Sequence, residues 1–206
     1  MVVPISNKRR ADSARHDIVE AALRAFAERG FHGTSIPEIA AAAGVGVASI
    51  YRRFESKEHL VNAVFRDAKG RLRDALLLDL DLGRPPRELF LEVWARLVRF
   101  QRAQPVAFQF LEMQDHVPYL DGESRALEAS LLMPILVATE SAAARGAIAP
   151  PVLIAMIWGA FVGITKATRL GYLVADEATL LRAGEAFWAA VAATFAKENA
   201  HAPRRR

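Results

Sequence analysis

The stretch "GVGVASIYRRFESK", Gly44 to Lys57, decides how this chain is read. It passes from two glycines through small and apolar residues to an aromatic followed by two arginines. Successive residues of a helix are turned by about 100°, so Ile50 and Phe54 fall together. Ala48, Ser49, Tyr51 and Arg52 fall on the opposite arc, with Val47 at its margin. One side of this segment is suited to burial. The other offers small side chains, a hydroxyl, a phenol and a guanidinium, with Arg53 and Lys57 at the helix end.

The flanking residues give that helix its neighbours. In Ser35-Ile36-Pro37-Glu38 a hydroxyl can cap a helix while the glutamate reaches back to the cap amide, and Pro37 falls in the first turn, where its missing N–H costs little. This helix, with Ile39 and the alanines at 40 to 43, is stopped by Gly44. Ahead of it, Ile18, Ala21, Ala22, Ala25 and Phe26 form the apolar stripe of a first helix, which Gly30 ends by permitting a left-handed backbone. Beyond it, Ser56-Lys57-Glu58-His59 opens a long fourth helix running through Leu60 and Val64 to about Leu82. Further helices are predicted over about 87–102, 105–116, 124–145, 151–170 and 176–200, because apolar residues recur at three- and four-residue spacings and no run alternates with period two. The fold expected is all-α, with a helix-turn-helix head over residues 10–56, a larger helical body over 57–200, and tails at 1–9 and 201–206.

Two short helices joined through a glycine turn form the arrangement that lays its second helix in a DNA major groove. On such a helix Arg52 can offer paired donors to guanine or a phosphate, and Val47 or Ala48 can touch a thymine methyl. Tyr51, Arg53 and Lys57 are placed for phosphates, which fix register rather than sequence. Ser35, at a helix N-terminus, is a further phosphate candidate. Taken singly, each of these residues suits an ordinary solvated face. Their shared arc after a glycine turn is what points to DNA.

Composition narrows the alternatives. The 206 residues are 52% hydrophobic, enough to bury a substantial core. There is no cysteine, which excludes disulfides, thiolate metal sites and a cysteine nucleophile. The net charge of +4 is concentrated at Lys8 to Arg10, at Arg52, Arg53 and Lys57, and at Arg204 to Arg206. The first apolar residues precede their positive charges, the reverse of a secretory signal, and a cytoplasmic location is expected. The uncharged stretch 146–165 approaches the roughly 20 residues of a membrane span. Pro150 and Pro151 shorten it, and the expectation is a buried core helix with no membrane partner.

In that helix Val152, Met156, Gly159 and Gly163 share a stripe, and the small residues permit close approach of another helix. Together with Phe187, Val191 and Phe195 of the last helix they are read as the dimer interface of a four-helix bundle, an intramolecular core being the alternative. A ligand pocket is suggested by Phe90, Trp94 and Leu97, by Phe108, Leu111, Glu112, Met113 and His116, and by Met133, Trp158 and Phe161. Aromatic and methionine-rich linings suit an apolar cavity, yet any one of these residues suits a plain core equally. Glu112 and His116 lie one turn apart, but metal sites in helical bundles take several such ligands from facing helices. Neither a metal nor a cofactor is expected.

The segments SIPEIAAAAGV (Ser35 to Val45), SIYRRF (Ser49 to Phe54) and SKEHL (Ser56 to Leu60) together resemble the signature of the TetR family of tetracycline-repressor-like regulators, over about residues 13–65. The resemblance implies a homodimer whose heads bind a palindromic operator, most often as a repressor. It also implies a body that dimerises and holds an inducing ligand, expected from the apolar lining to be a small hydrophobic or amphipathic molecule. Carried across by position, it supports Ser35, Ser49, Tyr51, Arg52, Arg53 and Lys57 as DNA contacts. The family often has serine, a polar or basic residue, and glycine or proline where this chain has Gly46, Val47 and Ala48. That departure shifts weight to methyl contacts, Arg52 and DNA shape. The rival readings are an all-α enzyme or metal-binding protein, and a structural dimer without DNA readout. Gly44-Val45-Gly46 follows a helix rather than a strand, so it is a turn and not a phosphate loop. The expectation is that the chain is not an enzyme.

Overall fold

The computed structural model describes the backbone of residues 7–113, 117–143 and 149–199; within these, the side chains of 7–11, 113, 117, 132, 134–143, 150 and 193–199 are outside the description. Among the described residues every regular element is helical: α1 (Asn7–Arg29), α2 (Ile36–Ala42), α3 (Val47–Tyr51), α4 (Lys57–Leu77), α5 (Pro86–Ala103), α6 (Pro105–Met113), α7 (Gly122–Ala143), α8 (Pro150–Arg169) and α9 (Glu177–Asn199), with a 3-10 turn at Val117–Tyr119. The chain forms two compact units, one of Met1–Leu72 and Gln104–Glu128, the other of Arg73–Ala103 and Ala129–Arg206.

The first unit holds the anticipated head and more. Ile18, Ala22 and Phe26 are buried along one side of α1, where Ile39 of α2, Ile50 of α3 and Phe54 are also buried. Burying each large apolar side chain favours folding by roughly 1.5–3 kcal/mol. The predicted capping box is present. The Ser35 N–H donates to Glu38 Oε2 at 2.8 Å, and the Glu38 N–H approaches Ser35 Oγ at 3.4 Å. At the far end of α2, Gly44 has φ +66° and donates to Ala41 O, while the Val45 N–H donates to Ala40 O. This pair of bonds around a left-handed residue satisfies carbonyls that the helix end would otherwise orphan. Thr34, buried, closes the preceding turn with its hydroxyl 3.0 Å from Ala25 O and 2.9 Å from Gly30 O.

What sequence periodicity did not anticipate is that α6 packs on α1. Phe110 meets Phe26 at a ring separation of 6.5 Å, and the Gln109 amide donates to Ala27 O at 2.9 Å.

The second unit is centred on an aromatic cluster. Trp94 meets Phe161 edge-on at 5.2 Å and lies 6.0 Å from Phe187, while Phe90 packs between Trp94, Phe187 and Trp188. The buried indole N–H of Trp94 donates to Leu180 O at 2.8 Å. Gly184 allows α9 to come this close, since a Cβ there would lie 2.5 Å from Trp94 Cδ1.

Two expectations are corrected by these elements. Helix α4 ends at Leu77 rather than near Leu82, because Asp79 adopts φ +54° and Arg96 Nη1 takes the terminal carbonyls of Leu76 and Leu78 at 3.1 and 2.6 Å. Helix α8 is not a buried core helix within one chain. Over Pro151–Arg169 its mean hydropathy is 1.5, yet only 17% of that apolar window is buried. Leu153, Phe161 and Thr165 point inward, whereas Val152, Met156, Gly159 and Gly163 are exposed. By length and composition this helix could cross a membrane.

Candidate nucleic-acid interface

Helix α3 divides as its sequence demands. Ile50 and Phe54 are each 1% exposed, and the opposite arc of Val47, Ala48, Tyr51 and Arg52 is open to solvent with Ser49 half-buried. The helix spans only Val47–Tyr51, although i to i−4 hydrogen bonds continue to Arg52 and Phe54. The arc is organised around one hydroxyl. Arg52 Nη2 donates to Ser49 Oγ at 2.8 Å; Arg53 Nη1 reaches the same oxygen at 3.2 Å and donates to Ser49 O at 2.9 Å. Two guanidinium groups are thereby aimed from one short helix, each keeping donors in hand, since a guanidinium has five N–H groups.

The other head residues are placed as follows. Lys57 Nζ stands 4.3 Å from the centroid of the Phe31 ring, a cation–π contact. Phe31 in turn stacks on Tyr119 at 4.8 Å. Ser35 is exposed but committed, because its hydroxyl donates to Glu38 Oε2 at 2.8 Å. The Glu38 carboxylate thus takes up the Ser35 hydroxyl and amide at this helix N-terminus. The Ser35 hydroxyl and amide bonds hold the Glu38 carboxyl below its ordinary range.

Sequence reasoning missed two features of this unit. Arg15 of α1 is exposed, with its guanidinium carbon 5.5 Å from the Phe54 ring centroid; its only sequence signal is a position on the polar side of α1. The second is Asn62, buried in α4. Its amide nitrogen donates to Glu58 O and Tyr119 O, and its carbonyl oxygen accepts from the Asp121 N–H and the Ser124 hydroxyl, all within 2.9 Å. Beside it Arg66 binds Asp121 at 2.8 Å. Burial favours the neutral form of the Asp121 carboxyl, but the Ser124 N–H and hydroxyl and the Arg66 guanidinium outweigh it, and the pKa falls to about 2. A lone polar residue in "LVNAVF" is the trace this clasp leaves in the sequence.

The residues suggested for a ligand pocket divide between the units. Phe108 and Leu111 are buried and Glu112 is half-buried in the first unit, whereas the Met113 side chain and His116 lie outside the described residues. In the second unit Trp94, Leu97 and Phe161 are packed as core, Phe90 and Trp158 are half-buried, and the Met133 side chain is exposed. Among the described residues no group of metal-ligating side chains forms a metal site. Of the residues assigned to dimerisation, Val152, Met156, Gly159 and Gly163 present an open face. Val191 does not: it is 5% exposed within one chain, because α9 turns it toward the interior, and Phe187 is engaged with Phe90 and Trp94. The Phe195 side chain is outside the described residues.

Fold and surface together define a helix-turn-helix protein with an exposed cationic α3 and a further helical unit. The model of bacterial regulatory proteins of the tetR family matches residues 18–64, and that of the tetracyclin repressor-like C-terminal domain matches residues 65–193. The chain belongs to the TetR family of transcription regulators. Among curated relatives it is 37% identical over 71 residues to the HTH-type transcriptional repressor KstR2 of Rhodococcus jostii, covering 32% of this chain and 35% of that protein. It is 38% identical over 74 residues to the HTH-type transcriptional regulator BetI of Rhizobium meliloti, covering 36% of each. The chain thus spans about a third of the length of these relatives. Among solved structures, a TetR family transcription regulator from Marinobacter aquaeolei superposes with a TM-score of 0.74 at 28% identity, over 86% of this chain and 95% of that one. FadR of Bacillus subtilis, solved in complex with stearoyl-CoA, shares the fold with a TM-score of 0.62 at 18% identity, over 82% and 94%.

Proposed function

We propose that the protein is a ligand-responsive transcriptional repressor that acts in the cytoplasm, binding a two-fold symmetric DNA operator as a homodimer. One observation carries this reading: the outer arc of α3 is open, and Ser49 holds both Arg52 and Arg53 beside it. Val47 and Ala48 are small enough to let the helix backbone enter a major groove, where methyl contacts and Arg52 read bases. Tyr51, Arg53 and Lys57 contact phosphates and set register. Recognition helices must sit about one DNA turn, or a multiple of it, apart, so the second copy is part of the function. The open α8 stripe is offered to that copy. Family membership favours a protein partner over a bilayer for this face.

The inducer is a small hydrophobic or amphipathic molecule bound by the body. The apolar, aromatic character of the body supports this, as does the stearoyl-CoA complex of the Bacillus subtilis FadR, whose fold this chain shares. A ligand acts only through a difference in affinity between two conformations, here one with the heads spaced for the operator and one without.

The test is selection of the purified protein against a randomised duplex library at near-physiological salt, followed by sequencing. A palindromic consensus is expected. Retention with no consensus, or none at all after denaturation and refolding to strip any copurified ligand, would refute operator recognition.

A further inference from the structure

We propose that Arg15 is a DNA-backbone contact of the head, held at the exit of the recognition helix by the Phe54 ring. The inference rests on the DNA-binding reading and adds a residue from α1 to it. Phe54 follows Arg53 directly and precedes Lys57 by three positions, so its ring marks the joint between α3 and α4. The ring is 1% exposed: His59 meets it edge-on at 6.0 Å, and the Arg15 guanidinium stands 5.5 Å from its centroid. A buried aromatic with a cation held over it fixes where a long, flexible side chain can go, and arginine is well suited because its plane stacks while its N–H groups remain free at the rim.

Charge points the same way. Arg29, Arg66, Arg71, Arg73, Arg87, Arg96, Arg99 and Arg102 each lie within 4 Å of a carboxylate. Among the described residues Arg15, Arg52, Arg53 and Lys57 make no ion pair; Arg24, Arg84, Arg125, Lys166 and Arg182 make none either, but the former four belong to the head elements that meet at Phe54. Glu58, close by in sequence, is engaged with Ser56 and the backbone at the start of α4. Cations from α1, from the end of α3 and from the start of α4 thus stand around one joint without a direct ion pair, Lys57 acting on Glu38 and Glu58 only at a distance. A polyanion that runs past α3 satisfies all of them at once. A groove-bound helix has phosphates at its edges, and α1 here supplies a charge that α3 alone cannot.

The test separates a charge that meets phosphate from a side chain that only packs. Each phosphate neutralised on B-DNA contributes about 0.9 to the slope of log K against log salt. With a mixed-sequence duplex as probe, Arg15→Gln keeps a planar polar group over Phe54 but removes the charge, and should lower the slope by about 0.9 per bound protomer. Between about 50 and 200 mM salt this variant should lose about threefold less affinity per protomer than the wild type. Arg15→Lys should keep the wild-type slope. Thermal melts of both variants show whether either effect is merely structural, because a packing role shifts Tm without moving the slope. A wild-type slope in Arg15→Gln, or equal slope losses in the two variants, would overturn the assignment. Failure of the wild type itself to show salt-dependent binding would overturn the DNA-binding reading as well, and so is distinct from failure of Arg15 alone.

Discussion

The Arg52 guanidinium donates to the Ser49 hydroxyl at 2.8 Å, one helical turn away on the exposed arc of α3. Because Arg53 reaches the same oxygen, one small side chain restrains two long cations. Holding them in place before DNA arrives lowers the entropy cost of docking. Ser49→Ala should therefore leave folding unchanged, weaken operator binding and blur base preference. Arg52→Ala should weaken binding by about 1–3 kcal/mol and relax preference at one position per half-site. Tyr51→Phe and Lys57→Ala should weaken all sequences alike. These outcomes are read from titrations against the selected operator and its single-base variants; an unchanged affinity and preference in Arg52→Ala would show that α3 does not enter the groove as proposed.

How much of this was legible in the sequence depended on the range of the interaction. The capping box of α2, the turn at Gly44 and the inward pair Ile50 and Phe54 are local, set by neighbours within one or two turns, and periodicity exposes them. The Asn62 clasp and the packing of Phe110 on Phe26 join residues that are more than fifty positions apart, and nothing in their spacing marks them. Val191, expected at a dimer face, is 5% exposed within one chain, and the sequence left this open for a related reason. An apolar stripe states that a face is buried but not what buries it, and α9 spends that face on its own chain.

Asn62 offers a sharp test of the clasp. It is 3% exposed and satisfies the Asp121 N–H, the Ser124 hydroxyl and Tyr119 O. Asn62→Leu would remove these three hydrogen bonds, each buried polar group that stays dry costing about 1–3 kcal/mol. Chemical denaturation should show a loss of at least about 2 kcal/mol, and a loss below about 0.5 would mean that water replaces the amide without cost.

The Asp121 carboxyl gives the clasp a pH signature. Its folded pKa of about 2 lies below its ordinary 3.8, so the stabilisation it brings is fully present above about pH 4 and is lost as pH falls toward 2. The side chain is 43% exposed, which lets solvent screen the pair with Arg66. Asp121→Asn should lower stability at neutral pH and flatten the stability profile between about pH 4 and pH 2, measured by urea unfolding across that range. A variant profile parallel to the wild type would exclude Asp121 as a contributor.

In the second unit, Gly184→Ala should be poorly tolerated. The added carbon would lie 2.5 Å from Trp94 Cδ1, and Trp94 is 1% exposed with its N–H fixed to Leu180 O. Overpacking of this kind costs about 1–3 kcal/mol, and in a chain of this size each kcal/mol lowers Tm by about 2–4 °C. A changed tryptophan emission spectrum should accompany the lower Tm. Wild-type values of both would mean that α5 and α9 part easily.

The exposed stripe of α8 discriminates between a second copy and no partner at all. Val152 is 52% exposed and Met156 41% exposed, Gly159 and Gly163 are open beside them, and the inward residues Leu153 and Phe161 lie on the other face. Val152→Asp combined with Met156→Glu places charges only on the open face, so one chain can fold unchanged while two copies cannot bury that face without desolvating a carboxylate. Sedimentation should show a dimer for the wild type and a monomer for the double variant, with equal helical circular dichroism. Loss of the dimer should also abolish tight operator binding, because a single head has only half the contacts. A double variant that remains dimeric would place the interface elsewhere on the chain, and a wild type that is monomeric at micromolar concentration would remove the two-fold operator from the proposal.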